Sequence, residues 1–425
     1  MEKQKKNLGS VAFLPLIVFL VCYVGCGITF TLMGADDPFG KFPRHVALLA
    51  GCAVALLLNR SMDVKDKLNI MTTNMGNSGV MMIVLIYLMA GGFQGAAAAM
   101  GGKDSVVNLC LHVIPVTFLI PGVFLMCCFI STSIGTSMGT IAAMAPIAIN
   151  VAQGAHLNVA IVGAAVIGGS YFGDNLSMIS DTKMKDKFKM NFFIALPAAI
   201  VAMILYSVVG GTGSGAIKAG SYNIIEVLPY LIVLGAALMG INVAVVLFVG
   251  ILSAGIIGLC VGSCGFFDWI QAIGNGMSDM FSISMVAILV SGIIGIVREY
   301  GGVEWLVGAI SGKIKNRRGA EYGIGLMSGI LSAAMVNNTI AIIVTCPIAK
   351  EIGEKYKIAP KRLASLVDIF ACAFISLMPH DGGMLMITAL ADVSPLNVLK
   401  YSFYMFGLII ATCVTIQFGL MDEKN

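Results

Sequence analysis

The sequence predicts an all-α polytopic membrane protein made of two inverted repeats. Each repeat would hold about five transmembrane helices and one re-entrant hairpin. Three observations carry this reading: an apolar composition, a self-match at an offset near 200, and polar breaks that recur at the same places in both copies. The chain is 58% hydrophobic and 11% charged over 425 residues, with mean hydropathy +0.94. Soluble domains carry about 25% charge. At about 20 residues per crossing, the apolar runs allow about ten to twelve spans. The net charge of +4 sits in a few loops, and no basic stripe interleaved with aromatics points to nucleic acid.

Candidate spans are residues 11–33, 42–59, 76–92, 113–130, 139–152, 159–179, 191–209, 223–239, 241–261, 278–297, 322–335, 340–348, 363–378 and 396–418. The first follows Lys3, Lys5 and Lys6 but is longer than a signal-peptide core of about 7–15 residues, so it reads as a retained helix. Segments 93–112 and 299–320 are more polar and read as interfacial linkers to the hairpins. Most of the eleven Cys lie inside apolar runs and no C-x-x-C occurs, which argues against a zinc or redox site. Cys260 and Cys264 are the one pair worth testing as a disulfide.

The repeat is clearest at an offset of 201, where Ser131 meets Ser332 and the run Ala145-Pro146-Ile147-Ala148 meets Cys346-Pro347-Ile348-Ala349. The polar interruptions coincide at this offset: 131–140 with 332–339, and 173–182 with 376–383. The division is residues 1–212 (hairpin 113–153, broken helix 159–181) and 213–425 (hairpin 322–350, broken helix 363–383). Short arms with Ser, Thr, Gly and Asn tips favour hairpins over paired crossings, because such tips cannot face lipid.

Charge sidedness fits this division. The N-terminal lysines, then Arg60, Lys65 and Lys67, then Lys183, Lys185, Lys187 and Lys189 fall in the cytoplasm. So do Arg298, Lys313, Lys315, Arg317 and Arg318, and then Lys355, Lys357, Lys361 and Arg362. Both termini come out cytoplasmic in a plasma (inner) membrane. An odd crossing number inverts the second repeat, so the hairpins enter from opposite faces.

Carboxylates at membrane depth mark ion or substrate paths. Asp174, Asp181, Asp368 and Asp381 are the four candidates. Asp174 and Asp181 lie in G-D-N-L-S-M-I-S-D-T (173–182) with Asn175, Ser177, Ser180 and Thr182. Carboxylates, hydroxyls and freed carbonyls supply the hard oxygens that sodium prefers. A carboxylate withdrawn from water can hold a proton or a cation, but not both, which suffices for exchange if access alternates. Asp181 beside Lys183 also reads as an interfacial cap. Asp368 also reads as a core acid paired elsewhere. His380 and Asp381 follow Pro379 at a break and also read as outer-interface groups. The tips contribute Thr132, Ser133, Gly135, Thr136, Ser137, Gly139 and Thr140 in the first half, and Asn337, Asn338 and Thr339 in the second. Small residues there also read as close-packing positions.

The stretch 173–182 resembles the G-D-x-x-S-P-x-S-D-T signature of NhaC-type sodium/proton antiporters. S-T-S-I-G-T-S-M-G-T (131–140) resembles that family's G-T-S-x-G-T element. The likeness is best over 76–205. It implies an ion-transporter architecture with inverted repeats, a homodimer, and an ion path lined by Asp174, Ser177, Ser180, Asp181 and Thr182. Asp174 and Asp181 are then the sodium ligands. Met178 departs from the family's Pro. The N-N-T tip is closer to the Asn-Thr tips of dicarboxylate transporters, and Pro379-His380-Asp381 replaces a Pro-aromatic-Asn element. The second half thus leaves open a sodium- or proton-coupled carrier of an amino acid or small carboxylate. The sequence shows no intramembrane Lys or Arg to hold such an anion. No H-E-x-x-H or G-x-S-x-G suggests an enzyme, and no resident cofactor is expected beside transported Na+ and H+.

Overall fold

The computed structural model describes residues 7–33, 41–134, 136–176, 184–210, 220–335 and 338–421. After a 3-10 turn at Gly9–Phe13 come α1 (Leu14–Leu32), α2 (Arg44–Leu57), α3 (Val64–Met75), α4 (Ser78–Ala99) and α5 (Gly102–Val113). Then come α6 (Val116–Ile134), α7 (Ser137–Gly154), α8 (Val159–Asn175) and α9 (Met184–Gly210). The second half holds α10 (Ile224–Leu238), α11 (Val243–Val261), α12 (Phe266–Asp279), α13 (Phe281–Glu299) and α14 (Gly302–Ser311). It continues with α15 (Arg317–Met335), α16 (Asn338–Tyr356), α17 (Pro360–Ser376), α18 (Gly382–Ala391), α19 (Pro395–Leu399) and α20 (Phe403–Phe418). The described residues are helical or irregular, with no strand. Among the described residues, five helical stretches are long and apolar enough to cross a membrane: Gly9–Phe30, Ser78–Ala99, Lys187–Gly210, Val243–Val261 and Phe266–Glu299.

Helix packing recurs between the halves. α1 packs on α2 and α10 on α11; α4 packs on α12 and α13 on α3; α6 packs on α8 and α15 on α17. The α4–α12 crossing is at backbone contact. A Cβ on Gly91 would lie 2.1 Å from the Gly276 carbonyl oxygen, and one on Gly95 2.1 Å from that of Ala272. Small residues four apart on both helices allow this approach, as at other intramembrane crossings.

The α6–α8 and α15–α17 contacts solve one packing problem in opposite ways. On α8, a Cβ at Gly169 would lie 2.3 Å from Phe124 O, and one at Gly173 2.4 Å from Ser131 Cβ. On α15, Gly325 faces Phe370 and Gly329 faces Phe374. Gly169 and Phe370 are 201 apart, as are Phe124 and Gly325. The small residue has changed helix while the fit is kept. In each half a serine ties the pair: Ser131 Oγ donates to Ser170 O, and Ser328 Oγ to Val367 O at 2.7 Å.

The hairpins are not equally engaged. α7 is buried along almost its whole length, against α4, α5, α10, α11 and α18 as well as α6 and α8. α16 packs chiefly on α15 and α17. It leaves Thr339, Ile343, Cys346, Pro347 and Lys350 exposed on one face.

Several sequence-based boundaries change. α3, α12 and α18 were not expected. α3 and α12 are amphipathic and carry charge, so an apolar-run criterion passes over them. Residues 93–99 extend α4, so the first linker is only α5. Residues 396–418 are broken between α19 and α20. Two basic residues read as loop cations are buried instead, and a third, Lys187, is half-buried. Lys67 is 2% exposed and donates to Leu56 O at 2.7 Å, closing the C-terminal end of α2. Arg362 is 1% exposed; its Nε and Nη2 lie 3.0 and 2.9 Å from Glu321 Oε2, and Nη2 donates to Thr415 Oγ1. This network ties α15, α17 and α20 together. Lys187, the third, belongs to the site. The cysteines are free thiols, Cys260 and Cys264 included.

Candidate functional site

Asp174 lies in the last turn of α8, just before the helix ends at Asn175. Gly173 lets that end press against Ser131 and the Thr132 backbone of α6. Two side chains donate to one oxygen of the carboxylate: Ser137 Oγ at 2.7 Å and Asn338 Nδ2 at 3.3 Å from Asp174 Oδ2. Ser137 is the first residue of α7 and Asn338 the first of α16. Two helix N-termini, one from each hairpin, therefore converge on one carboxylate, where their partial positive charge stabilises its negative charge. Among the described residues, no Lys, Arg or His forms an ion pair with Asp174.

The tips are built by local capping. Thr136 caps α7, accepting from Gly139 N at 2.9 Å, while Thr140 Oγ1 donates to Thr136 O. Asn338 Oδ1 accepts from Thr339 N at 2.9 Å, and its Nδ2 also reaches Cys372 Sγ on α17 at 3.5 Å. The amide is thus oriented with its donors toward Asp174. Ser177, Ser180, Asp181, Thr182 and Asn337 lie outside the described residues.

Asp368, on α17, is 7% exposed. Its Oδ2 lies 3.1 Å from Lys187 Nζ and accepts from Asn191 Nδ2 at 2.9 Å. The same Asn191 amide donates to Asn175 O at 2.9 Å, so one side chain joins the end of α8 to Asp368. Lys187 and Asn191 are one turn apart on α9 and share a face. Lys187, expected in a loop, instead reaches Asp368 from the start of α9. Lys187 reads from sequence as a loop cation because it stands in a run with Lys183, Lys185 and Lys189. Its place on one helix face with Asn191 was the signal that could have found it.

Asp381 and His380 sit elsewhere. Asp381 is the N-cap of α18, accepting from Gly383 N at 3.0 Å and Met384 N at 3.2 Å. Tyr171 OH donates to its Oδ1 at 3.2 Å, and Tyr87 OH to Gly382 O at 2.9 Å. Tyr171 is three residues before Asp174 on α8 and shares its face. Asp381 is buried at 3% exposure, and so is His380 at 2%. His380 Nε2 lies 3.0 Å from Ala333 O, and its ring meets Phe19 edge to face. Neither residue makes a hydrogen bond to Asp174 in the described structure.

An all-helical membrane protein with broken helices and two hairpin tips around a half-buried carboxylate has the build of a secondary transporter. The chain belongs to the Na+/H+ antiporter family, whose model matches residues 10–210 and again 189–422. It is 24% identical over 217 residues to the malate-2H(+)/Na(+)-lactate antiporter of Bacillus subtilis, covering 48% of this chain and 45% of that one. It is 24% identical over 283 residues to the Na(+)/H(+) antiporter NhaC of the same organism, covering 60% of each. To the arginine/ornithine antiporter ArcD of Halobacterium salinarum it is 22% identical over 243 residues, covering 51% and 49%. The matches span about half the length of these curated relatives. The crystal structure of the Alcanivorax borkumensis YdaH transporter aligns over 86% of this chain and 90% of that one, with TM-score 0.43 and 12% identity.

Proposed function

We propose that this protein is a sodium/proton antiporter that exchanges the two ions at Asp174 by alternating access. The observation that carries the reading is the convergence of Ser137 and Asn338, one from each hairpin tip, on Asp174 Oδ2. The Asp174 carboxylate has hydrogen-bond donors but, among the described residues, no cationic side chain paired with it, so a mobile cation or a proton balances it when it is withdrawn from water. Protonated Asp174 releases its proton as sodium binds, and sodium leaves as a proton returns. Each exposure then carries one ion or the other. Ser177, Ser180, Asp181 and Thr182 complete the ion path in this reading, with Asp181 a second sodium ligand. Residues 1–212 and 213–425 form inverted repeats, both termini face the cytoplasm, and the protein works in the plasma (inner) membrane as a homodimer. The unequal engagement of α7 and α16 supports alternating access, since one hairpin is seated while its counterpart is free.

A second reading, a sodium- or proton-coupled carrier of an amino acid or small carboxylate, is favoured by Lys187, a cation at the site that an organic anion could meet. Proteoliposomes decide. Sodium added outside should drive proton movement in the wild type and not in Asp174→Asn. No sodium-driven flux at any pH from about 6 to 9 sinks the antiport reading. Sodium-dependent uptake of an organic acid or amino acid would then establish the second.

A further inference from the structure

We propose that Asp368 is a second cation site, occupied in this protein by its own Lys187 ammonium. The inference rests on reading the chain as a sodium carrier. Lys187 reaches from α9 to α17, where its Nζ sits 3.1 Å from Asp368 Oδ2. The surroundings are oxygen-rich beyond what that pair needs. Asn191 contacts both Asp368 Oδ2 and Asn175 O through Nδ2, and its buried Oδ1 has no hydrogen-bond partner among the described residues. Asn175 is wholly buried, and neither its side-chain oxygen nor its side-chain nitrogen has a partner among the described residues. Orphaned buried acceptors are costly and rare. Carboxylate, amide and carbonyl oxygens form the donor set of a hard monovalent cation, and a compact ammonium is the side-chain charge that most resembles one.

The two acids would then divide the work. Asp174 is balanced by ions that come and go, Asp368 by a tethered one that cannot leave. Asn191 links the two stations through Asn175, the residue next to Asp174. Lys187 would hold the carrier to one exchangeable sodium per chain, and removing its amine would open the second place to a mobile ion.

The test is equilibrium binding of radioactive sodium to the purified full chain in detergent. The wild type should bind one sodium per chain and lose it in Asp174→Asn. Lys187→Ala should bind two. Asp174→Asn/Lys187→Ala should keep one, and Asp368→Asn/Lys187→Ala should lose the gained ion. Lys187→Arg, which keeps the charge, should stay at one. Ethylammonium should compete for the gained ion in Lys187→Ala and raise that variant's thermal stability, but not the wild type's. A folded Lys187→Ala that binds no more sodium than the wild type overturns the proposal. So does a Lys187→Ala whose instability neither sodium nor ethylammonium relieves, because the lysine is then only a structural partner. Survival of the wild-type ion in Asp174→Asn sinks the Asp174 reading instead, and the gain in Lys187→Ala still decides this one.

Discussion

Ser137 and Asn338 stand 201 residues apart, each as the first residue of its helix, and donate to the same oxygen, Asp174 Oδ2. That separation is the offset of the sequence repeat, so equivalent positions of the two hairpins meet at one carboxylate contributed by the first half alone. A hydrogen bond to a charged group is worth about 1.5–3 kcal/mol. Ser137→Ala should therefore raise the sodium concentration for half-maximal exchange by about tenfold or more. Asn338→Ala, which removes a longer bond, should have a smaller effect, and Ser137→Thr should come close to the wild type. Sodium titration of proton flux reads all three; an unchanged half-maximal concentration in Ser137→Ala would show that the tip does not support the ion.

If sodium and proton compete at Asp174, as proposed, that competition fixes the sign of the pH dependence. Raising pH removes the competing proton, so the apparent sodium affinity should strengthen, by up to about tenfold per pH unit where the proton dominates. The maximal rate should fall at the alkaline end, where return of the proton becomes limiting. Flux measured against sodium at four or more pH values checks this. A sodium affinity independent of pH would rule out a shared carboxylate.

The glycine exchange between α8 and α15 predicts a matched pair of lesions. A Cβ at Gly173 would meet Ser131 Cβ and the Thr132 backbone at 2.4 Å, and one at Gly329 would lie 2.7 Å from Phe374. Overpacking of this kind costs about 1–3 kcal/mol. Gly173→Ala should be the worse of the two, because backbone cannot yield as a ring can. Gly25→Ala, on α1 with nothing within 4 Å of the added carbon, should instead be neutral or stabilising by up to about 1 kcal/mol. Thermal unfolding in detergent ranks the three.

Arg362 and Glu321 form a buried pair, and removing Arg362 leaves the Glu321 carboxylate with the longer, half-exposed Arg317 contact at 3.7 Å. Arg362→Ala should destabilise the chain by about 3–5 kcal/mol, whereas Arg362→Met with Glu321→Met should recover much of the loss. Thermal unfolding of the single and double variants measures it. A double variant no more stable than Arg362→Ala would show that the pair is net favourable over an apolar replacement.

The helical class and the helix starts at Ser137 and Asn338 were legible because composition and local spacing encode them. Apolar runs mark helices, and Ser, Thr and Gly at 131–140 mark a backbone that cannot face lipid. Asp174 was legible because a carboxylate in an apolar run stands out by itself. The partners were not. Asp368 meets Asn191 across 177 residues, and nothing local to either names the other. Lys187, Lys67 and Arg362 were hidden by the rule that sorted them, since charge sidedness treats each basic residue near a span end as a loop residue. Asp381 followed by two glycines is a helix-cap pattern that local reading could have caught. α3 and α12 escaped because half-polar helices fall below an apolar threshold even when one face packs.

Alternating access gives the last prediction, and Cys346 reports on it. α7 is seated against α4, α5, α10 and α11, while the matching arm, α16, keeps its Thr339, Ile343 and Cys346 face exposed. If the repeats exchange roles, the opposite state seats α16 and frees α7. Cys346 should then react with a maleimide in the state described here and be protected in the other. Cys260, the other exposed thiol, is replaced first so that labelling reports one site. Inverted hairpins also require that the reagent reach Cys346 from one side of the membrane only, the cytoplasmic side on the charge pattern. A reagent that cannot cross the membrane, applied to right-side-out and inverted vesicles, tests the side. The rate with and without saturating sodium, in wild type and Asp174→Asn, tests the coupling. Sodium should change the rate in the wild type and leave it unchanged in Asp174→Asn, because the ion shifts the equilibrium only through its own site. Equal labelling under every condition would mean that the α16 face is permanently exposed and that exchange does not proceed by seating it.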